Sequence, residues 1–572
     1  MAPTVLEEPQ VETKQDFIDQ YLGDASHPIE WKDEAEKKLH FWFDDLHQPQ
    51  PVSPMYFDLG GWWVTCNYMY RRFGAPFGLD WVAKKVDGYV HTAVVPRDPK
   101  DAADIAPYYS MVMPIYADKF LGWWKERLLP EIIRNFEYLD SIDMESISLP
   151  EVMIVLEDMI DILQRHFNLH WVLNLAQFQS SMTFQGHFNE FVGKGHDELF
   201  GRILISDEDR NWDSINELWK MKETIKTSPA LTSAFKKPAA EVLPELAKSP
   251  EGKELIKKID AYKFEYGNKS MYTHEFLAET WRENPTPIVI ALKGYVENDY
   301  NYPKDVQRLR ENRAKAIEEM WSLFPSTRSA EDRETLKNSL DLALKMTPLT
   351  PDHHFYMDQG TFARARLVLM AIGRKLAKAG VLNQADDIMY LTYDETRKLS
   401  ANFKFMDAKT TVKKRRAVRE EAFKHAPRLW VGTIDHWSLY EEPYKQGLWG
   451  WPGVYLKQAE RANLPKGTLK GLGVSQGVVE GIARVVTSPA QFDEVKKGEI
   501  LVCIMTNPAW VVLFTKIAGL VTDSGGALSH PAVVSREFNI PAVVGTIEAT
   551  QQIKTGQRLR VDGTTGTVKI IS

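Results

Sequence analysis

The chain has 572 residues, of which 44% are hydrophobic and 26% charged, and its formal net charge is −8 at pH 7. This length fits three or four domain-sized units of an ordinary globular protein, and the negative charge argues against a nucleic-acid binder, which carries a basic surface. Two cysteines, a polar N-terminus and the lack of any long apolar run exclude a disulfide framework, a signal peptide and a membrane span, so we expect a cytoplasmic protein without membrane partners.

Residues 1–461 are predicted to form a mainly helical, aromatic-rich domain. Apolar residues recur at helical spacing in residues 149–171. Residues 303–324 begin with a proline and carry alternating charges, which is typical of a helix with a solvated face. Further helices are predicted at residues 361–379 and 413–425.

Most of the 17 tryptophans lie in this predicted domain. Aromatic side chains usually pack in a core. A few of them could instead line a flat, apolar ligand pocket, but composition does not show which ones.

Residues 462–473 are rich in glycine and lysine and predict a hinge linker. A compact β/α domain, residues 474–572, should follow it. Its strands and helices are predicted at residues 478–486, 499–504, 510–517, 519–522, 529–538, 542–544, 558–561 and 567–571. The predicted fold class is therefore α+β, with a large helical body and a smaller C-terminal β/α domain.

His530 lies in this last domain, where a strand-like stretch breaks at Gly525 and Gly526 and a helix begins near Ser529. Glycines allow a positive φ, Ser529 can cap the helix, and the free N–H groups of a helix N-terminus favour a phosphoryl group. A neutral imidazole is a good nucleophile near pH 7. A histidine beside such a turn is more often a plain loop residue, but the surrounding segment favours a histidine that is transiently phosphorylated.

The C-terminal domain resembles the mobile phosphohistidine domain of the phosphoenolpyruvate-utilising and dikinase-type phosphotransferases. The matching residues are Thr522, Gly525, Gly526, Ser529, His530, Ala532, Val533, Val534, Arg536 and the segments 540–545, 561–563 and 566–568. The resemblance implies that His530 carries phosphate, that Gly525, Gly526, Ser529 and Arg536 surround the phosphoryl group, and that the domain swivels on a hinge. Pro531 departs from the family's small residue and removes one possible N–H donor.

Two segments of the body resemble the substrate-binding region of rifampin phosphotransferase-like proteins. They are residues 266–285, with Glu275 between two short matching runs, and residues 385–395. Asn268 and Lys269 stand where that family has a His-Arg pair, so we carry no catalytic role over to them.

Phosphoryl transfer needs charge neutralisation and positioning. Arg282 and Arg366 are candidates to hold phosphoryl oxygens, because a guanidinium matches them with two parallel hydrogen bonds. The alternatives are a salt bridge between Arg282 and Glu283 or another carboxylate, and a solvated helix face for Arg364 and Arg366.

A hydroxyl acceptor would need a general base, and His187 is our preferred candidate, although it could simply pack. Glu275, Glu283 and Asp358 are alternatives. His166 and His170 have the four-residue spacing that can present two metal ligands on one helix face, but they too could be packing residues.

The sequence shows no Walker A motif, no kinase glycine loop, no recognisable ATP-grasp segment and no room for a phosphoenolpyruvate-binding barrel. We therefore expect the substrate-phosphorylating subunit of a split dikinase. A separate ATP-grasp subunit would phosphorylate His530 from ATP with Mg²⁺. Resemblance to phenylphosphate synthase and hydroxyphenyl-ketone dikinases implies a phenolic acceptor, with AMP and inorganic phosphate as by-products. The alternatives are a kinase of a larger, rifamycin-type antibiotic and a carrier that relays phosphate to a protein.

Overall fold

The computed structural model describes residues 29–44, 47–425, 427–428, 430–433, 464–487, 489–526 and 529–571. These residues form a large helical body that carries a small four-stranded sheet, and a C-terminal domain built on an eight-stranded sheet. The predicted α+β class is confirmed.

The helices of the body make up most of its residues. They are α1 (Glu34–Lys37), α2 (Cys66–Phe73), α3 (Pro99–Trp123), α4 (Leu129–Asp140), α5 (Leu149–Phe191), α6 (Asp197–Ile203), α7 (Arg210–Lys226), α8 (Pro229–Phe235), α9 (Ala239–Leu246), α10 (Pro250–Tyr266), α11 (Thr286–Glu297), α12 (Tyr302–Leu323), α13 (Ala330–Met346), α14 (Leu349–His353), α15 (Thr361–Lys378), α16 (Tyr393–Ala401) and α17 (Ala408–Ala422). The four helices predicted from the sequence are confirmed as α5, α12, α15 and α17. The described residues also contain three π-helical turns. Tyr56–Gly60 precedes α2, Trp124–Leu128 joins α3 to α4, and His354–Gly360 joins α14 to α15.

The central element of the body is α5, a single helix of 43 residues. Ser148 and Glu151 form a capping box at its start, which satisfies N–H groups that a helix leaves free there. Helices α3, α13 and α15 pack along it. At a rise of 1.5 Å per residue it is about 65 Å long, so histidines at different points of α5 lie in different parts of the body.

The small sheet consists of β1 (His40–Phe43), β2 (Asp80–Val86), β3 (Tyr89–Val95) and β4 (Trp430–Gly432), in the antiparallel order β2-β3-β1-β4. One face packs into the aromatic core of the body, where Trp62 contacts both Trp81 and Trp171. Most tryptophans are thus core residues, as their type predicts.

The C-terminal domain contains β5 (Thr468–Lys470), β6 (Leu472–Ser475), β7 (Val478–Val485), β8 (Ile500–Cys503), α18 (Val511–Phe514), β9 (Gly519–Thr522), α19 (His530–Glu537), β10 (Ala542–Val544), α20 (Ala549–Gln552), β11 (Arg558–Asp562) and β12 (Thr567–Ile570). The sheet order is β5-β12-β11-β7-β8-β9-β10-β6, and the four central strands β7, β8, β9 and β10 are parallel. The eight elements predicted from the sequence are all present.

The predicted linker at 462–473 needs a correction. Strand β5 and the start of β6 occupy its second half, because Leu469 is buried and β5 pairs with β12. Residues 462 and 463 lie outside the described residues, so that part of the linker stays a prediction.

The C-terminal domain is seated on the body through a continuous apolar cluster. Helix α18 packs on α11, and Phe538 stacks on Trp212 with ring centroids 6.0 Å apart. Within the described part of the chain, no helix has the length and apolar character needed to cross a membrane.

Candidate active site

The parallel strands β8 and β9 end at one edge of the C-terminal sheet, and the loops that follow them build one half of the site. After β9, Gly525 has a φ of +122°, and a Cβ atom there would lie 2.8 Å from Ser529 Oγ. This confirms the expected positive φ. Ser529 does occupy the N-cap position of α19, but its hydroxyl donates to the Gly526 carbonyl oxygen at 2.7 Å instead of capping the helix. That hydrogen bond closes the turn and is a correction to the capping prediction.

His530 is the first residue of α19, and one of its nitrogens is already engaged. Its Nδ1 lies 3.0 Å from Oγ1 of Thr506, a buried residue in the loop after β8. Its Nε2 is shielded from solvent and has no hydrogen-bond partner among the described residues. With Nδ1–H directed at Thr506, the lone pair that is free to react is that of Nε2.

The environment of His530 keeps its imidazole neutral. Burial lowers the pKa of His530 to about 3, and the nearby His354 and Lys269 contribute to the shift. Both of these residues belong to the body, so the reactive edge of the C-terminal domain faces a basic region across the junction.

Lys269 is one of these two body residues. It is buried, donates from Nζ to Ser214 Oγ at 2.8 Å and lies 5.3 Å from the centroid of Trp281. Burial and the nearby charge of Arg210 lower its pKa from 10.5 to about 7. No carboxylate of the described residues forms a salt bridge with Lys269. A buried ammonium without a counter-ion is well suited to bind an anionic group of a ligand.

His354 is the second body residue. It begins the π-helical turn His354–Gly360, and its Nδ1 contacts Oδ2 of the buried Asp358 one turn later. A carboxylate on Nδ1 fixes the tautomer in which Nε2 accepts a proton, as in hydrolase triads. Burial alone would raise the pKa of Asp358, but the imidazoles of His170 and His354 hold it well below its ordinary value.

Further histidines lie behind this pair. His170 Nδ1 is 3.3 Å from Asp358 Oδ1, and the ring of His353 lies 4.9 Å from that of His170. His274 is hydrogen-bonded to Tyr56 at 3.2 Å, and burial lowers its pKa to about 3. The body therefore gathers several histidines around Asp358, and burial keeps His274 neutral.

Two segments of the chain match known protein families. Residues 495–566 match the mobile domain of PEP-utilising enzymes, and residues 171–350 match the fourth domain of rifampicin phosphotransferase. Together these segments contain His530, Thr506 and Lys269. Both matches agree with the resemblance to phosphohistidine phosphotransferases.

Several curated phosphotransferases of this type are similar to the chain. An uncharacterized phosphotransferase, YvkC, of Bacillus subtilis is 28% identical over 412 residues, which cover 72% of this chain and 47% of that protein. Rifampicin phosphotransferase of Streptomyces sviceus is 32% identical over 336 residues, covering 58% and 36%. Phosphoenolpyruvate synthase of Pyrococcus furiosus is 48% identical over 112 residues, covering 20% and 14%. The chain thus spans less than half the length of these relatives.

The mobile domain is held on the body by contacts close to His530. Asn507, next to Thr506, donates from Nδ2 to the carbonyl oxygens of Ser270 and Met271 at 3.2 and 2.6 Å. A cleft of about 420 Å³ opens along the same junction. Its lining is largely apolar and aromatic and includes Met271, Tyr272, Trp281, Phe423, Phe492 and Ala509.

The arginines predicted to hold phosphate are engaged in the body. Arg366 forms two hydrogen bonds with Glu283, at 2.8 and 3.0 Å, and Arg282 pairs in the same way with Asp140, at 2.8 and 3.2 Å. Arg364 shares the carboxylate of Asp140. The salt-bridge alternative fits Arg282, with Asp140 as its carboxylate partner. The solvated helix face given as the alternative for Arg364 and Arg366 is wrong, because both residues are buried, and Glu283 is the structural partner of Arg366.

His187 and Arg536 also lie away from the reactive nitrogen. His187 is 17 residues beyond His170 on α5, which separates the two by about 25 Å, and its ring stacks on Phe191. Arg536, in the last turn of α19, approaches the carbonyl oxygen of Gly201 in the body at 3.4 Å. The structure therefore assigns His187 to packing and Arg536 to the domain junction.

Sequence reasoning missed three residues of the site: Thr506, His354 and Lys269. Thr506 could have been found because it follows a predicted strand, and the loops after neighbouring parallel strands lie at the same edge of a sheet. His354 could have been found because Asp358 follows it four residues later, a spacing that brings the two side chains together on a helix.

Proposed function

We propose that this phosphotransferase passes a phosphoryl group from His530 to the hydroxyl of an aromatic acceptor bound at the junction between the mobile domain and the body. The proposal rests on one observation. Nε2 of His530, on the mobile domain, has no hydrogen-bond partner among the described residues, and it faces two residues of the body across the junction. These are the buried Lys269 and His354, which Asp358 holds.

The first half-reaction uses the neutral imidazole. The Nε2 lone pair of His530 attacks a phosphoryl phosphorus, a P–N bond forms, and the donor's P–O bond breaks. Thr506 accepts the Nδ1–H and keeps that nitrogen from competing. Because the pKa of His530 is about 3, almost no protonated imidazole competes at neutral pH.

The second half-reaction takes place at the body. The acceptor oxygen attacks phosphorus, its O–P bond forms, and the P–N bond breaks to regenerate neutral His530. The ammonium of Lys269 stabilises the charge on the phosphoryl oxygens. Nε2 of His354 takes the acceptor's hydroxyl proton, and Asp358 stabilises the imidazolium that results.

The acceptor class is inferred from the junction cleft. Aromatic walls with few polar groups suit a flat ring, and Tyr272, Trp281 and Phe492 supply such walls. The ring of Trp281 also lies 5.3 Å from Lys269 Nζ. A phenol presents both the ring and an acidic hydroxyl, so a phenolic acceptor remains our preferred one.

The two buried, free cysteines fit the cytoplasmic location that we propose for this reaction.

A larger hydroxylated acceptor is the second candidate. The match of residues 171–350 to a rifampicin phosphotransferase domain favours it. The two candidates differ in which compounds accept the label, and a panel that contains both simple phenols and a rifamycin separates them.

The phosphoryl donor is the remaining part of the proposal. We infer that a separate ATP-grasp protein, with Mg²⁺, uses ATP and water to leave the β-phosphate of ATP on His530. The P–O bond between the α- and β-phosphates breaks and releases AMP. Water attacks the γ-phosphorus, and the P–O bond between the β- and γ-phosphates breaks and releases inorganic phosphate. The 572 residues carry no Walker A motif or kinase glycine loop, so the proposal places the donor site outside them.

The experiment combines the chain, an ATP-grasp protein, β-labelled ATP with Mg²⁺, and the acceptor panel. We expect an acid-labile label on the chain that is lost in His530→Ala, followed by a labelled aryl phosphate. His187→Ala, which changes a packing histidine of the body, serves as the matched control and should label normally. A labelled protein acceptor without a small-molecule product would point to the carrier function, and unchanged turnover by His530→Ala would exclude the mechanism.

A further inference from the structure

We propose that His170, His353 and Asp358 bind a divalent transition-metal ion, with Zn²⁺ as the expected ion, in the body behind His354. One ligand atom from each residue lies within 4.8 Å of the others, and all three residues are buried. They come from α5, the end of α14 and the π-helical turn that follows, so the fold gathers them from two distant parts of the chain.

The distance between the His170 and Asp358 ligand atoms fits a small tetrahedral site. Nitrogen and oxygen ligands about 2.0–2.1 Å from Zn²⁺ are about 3.3–3.4 Å from one another. His170 Nδ1 and Asp358 Oδ1 are already 3.3 Å apart. Each of these two atoms is buried and makes no hydrogen bond within the described residues. A cation between them would satisfy both.

The hydrogen bonds around the two histidines decide which lone pairs an ion could use. His353 Nδ1 lies 3.3 Å from the carbonyl oxygen of Leu349, which can only accept, so Nδ1 carries the proton and Nε2 is free. His170 Nε2 lies 2.7 Å from Nδ2 of Asn174, which donates to it. Metal binding therefore requires the Asn174 amide to turn over, so that its oxygen accepts from Nε2–H and the Nδ1 lone pair of His170 is available to the ion.

The donor set selects the type of ion. Two imidazoles and one carboxylate favour zinc and its neighbours over Mg²⁺, which prefers oxygen ligands. Three protein ligands also leave one position open, as in catalytic zinc sites. The predicted Mg²⁺ of the ATP reaction is therefore a different ion.

The site is coupled to His354 through one carboxylate. Asp358 Oδ1 faces the ion while Oδ2 holds His354 Nδ1. An ion on Oδ1 would fix the carboxylate and with it the orientation of His354. This consequence rests on the proposed function, whereas metal binding is measured without turnover, so the two can fail separately.

The sequence suggested a different pair on the same helix, His166 with His170. In the structure His166 is bonded to Thr361 at 2.9 Å and to Asn135 at 3.0 Å, and it does not join the cluster. It is therefore a matched control, one helical turn from a proposed ligand and also buried.

The test uses the full chain, stripped with a chelator and titrated with Zn²⁺ and, for its absorption spectrum, Co²⁺. We expect one equivalent of Zn²⁺ and a tetrahedral Co²⁺ spectrum in the wild type and in His166→Gln. His170→Gln and His353→Gln should bind more than about 100-fold more weakly, and Asn174→Ala should bind about 10–100-fold more weakly, as loss of an outer-shell partner does. Circular dichroism and the unfolding midpoint of each metal-free variant show whether it is folded.

Two results would overturn the inference. One is a wild-type chain that retains no stoichiometric ion at micromolar Zn²⁺. The other is folded His170→Gln and His353→Gln variants that bind as tightly as His166→Gln.

Discussion

The two halves of the site are built in different ways. The half on the mobile domain comes from two loops at one edge of a parallel sheet, with His530 and Thr506 only 24 residues apart. The half on the body is assembled from Lys269, His354 and a helix that begins more than a hundred residues earlier. The first half carries the nucleophile, and the second carries the charges and the base.

This division means that the two halves should fail in different ways. A change on the mobile domain should remove the phosphorylated intermediate, because it removes or misplaces the nucleophile. A change on the body should leave the intermediate intact and slow its transfer to the acceptor.

The largest effect on transfer is expected at His354. Replacing it by Gln keeps a hydrogen bond to Asp358 but removes the base, which should slow transfer to the acceptor by about 10²–10⁴-fold. Labelling of His530 should be unchanged. Single-turnover transfer from the labelled chain measures this, with His187→Gln as the control that should keep the wild-type rate. Equal losses in both variants would contradict the assignment of the base.

A somewhat smaller effect is expected at Lys269. Replacing it by Met should slow transfer by about 10²–10³-fold, because one preorganised charge on the phosphoryl oxygens is lost. Lys269→Arg should retain part of the rate. A Lys269→Met variant with a wild-type transfer rate would show that the lysine does not contact the phosphoryl group.

Lys269 also predicts a dependence of stability on pH. Its pKa is about 7 in the folded chain and 10.5 as its ordinary value. Between these values the unfolded chain holds a proton that the folded chain lacks, so raising the pH from about 7 to about 10 should stabilise the wild type relative to Lys269→Met. Urea unfolding of both proteins across this range checks the sign, and curves that run parallel would contradict the lowered pKa of Lys269.

Arg366 should affect folding rather than transfer. Replacing it by Met leaves the Glu283 carboxylate unpaired, and the free energy of unfolding should fall by about 3 kcal/mol, the lower end of the range for a buried pair because Glu283 is partly exposed. Transfer per folded molecule should stay close to the wild-type rate. The double variant Arg366→Met/Glu283→Gln should recover much of the stability, and a large loss of transfer in it would restore Arg366 as a phosphoryl-binding residue.

The sequence allowed the strands, the glycine turn and the place of His530 at the start of a helix to be predicted, but not the contact of His530 with Thr506. Alternating strands, the glycine turn and His530 are local features, and local patterns determine them. The body half was predicted poorly because its pairs are distant in sequence: Asp358 meets His170, and Arg366 meets Glu283. Arg282 and Arg366 were predicted to bind phosphate from their chemical type alone. In the folded chain they form salt bridges with Asp140 and Glu283.

The proposed mechanism is tested most directly by finding which nitrogen of His530 carries the phosphoryl group. The chain is phosphorylated and digested in alkali, and the two phosphohistidine isomers are separated by chromatography, with Thr506→Val as a variant that frees Nδ1. Because Thr506 occupies Nδ1 and Nε2 is free, we predict the Nε2 isomer in the wild type, and a share of the Nδ1 isomer in Thr506→Val. The Nδ1 isomer in the wild type, or a label that persists in His530→Ala, would contradict the mechanism.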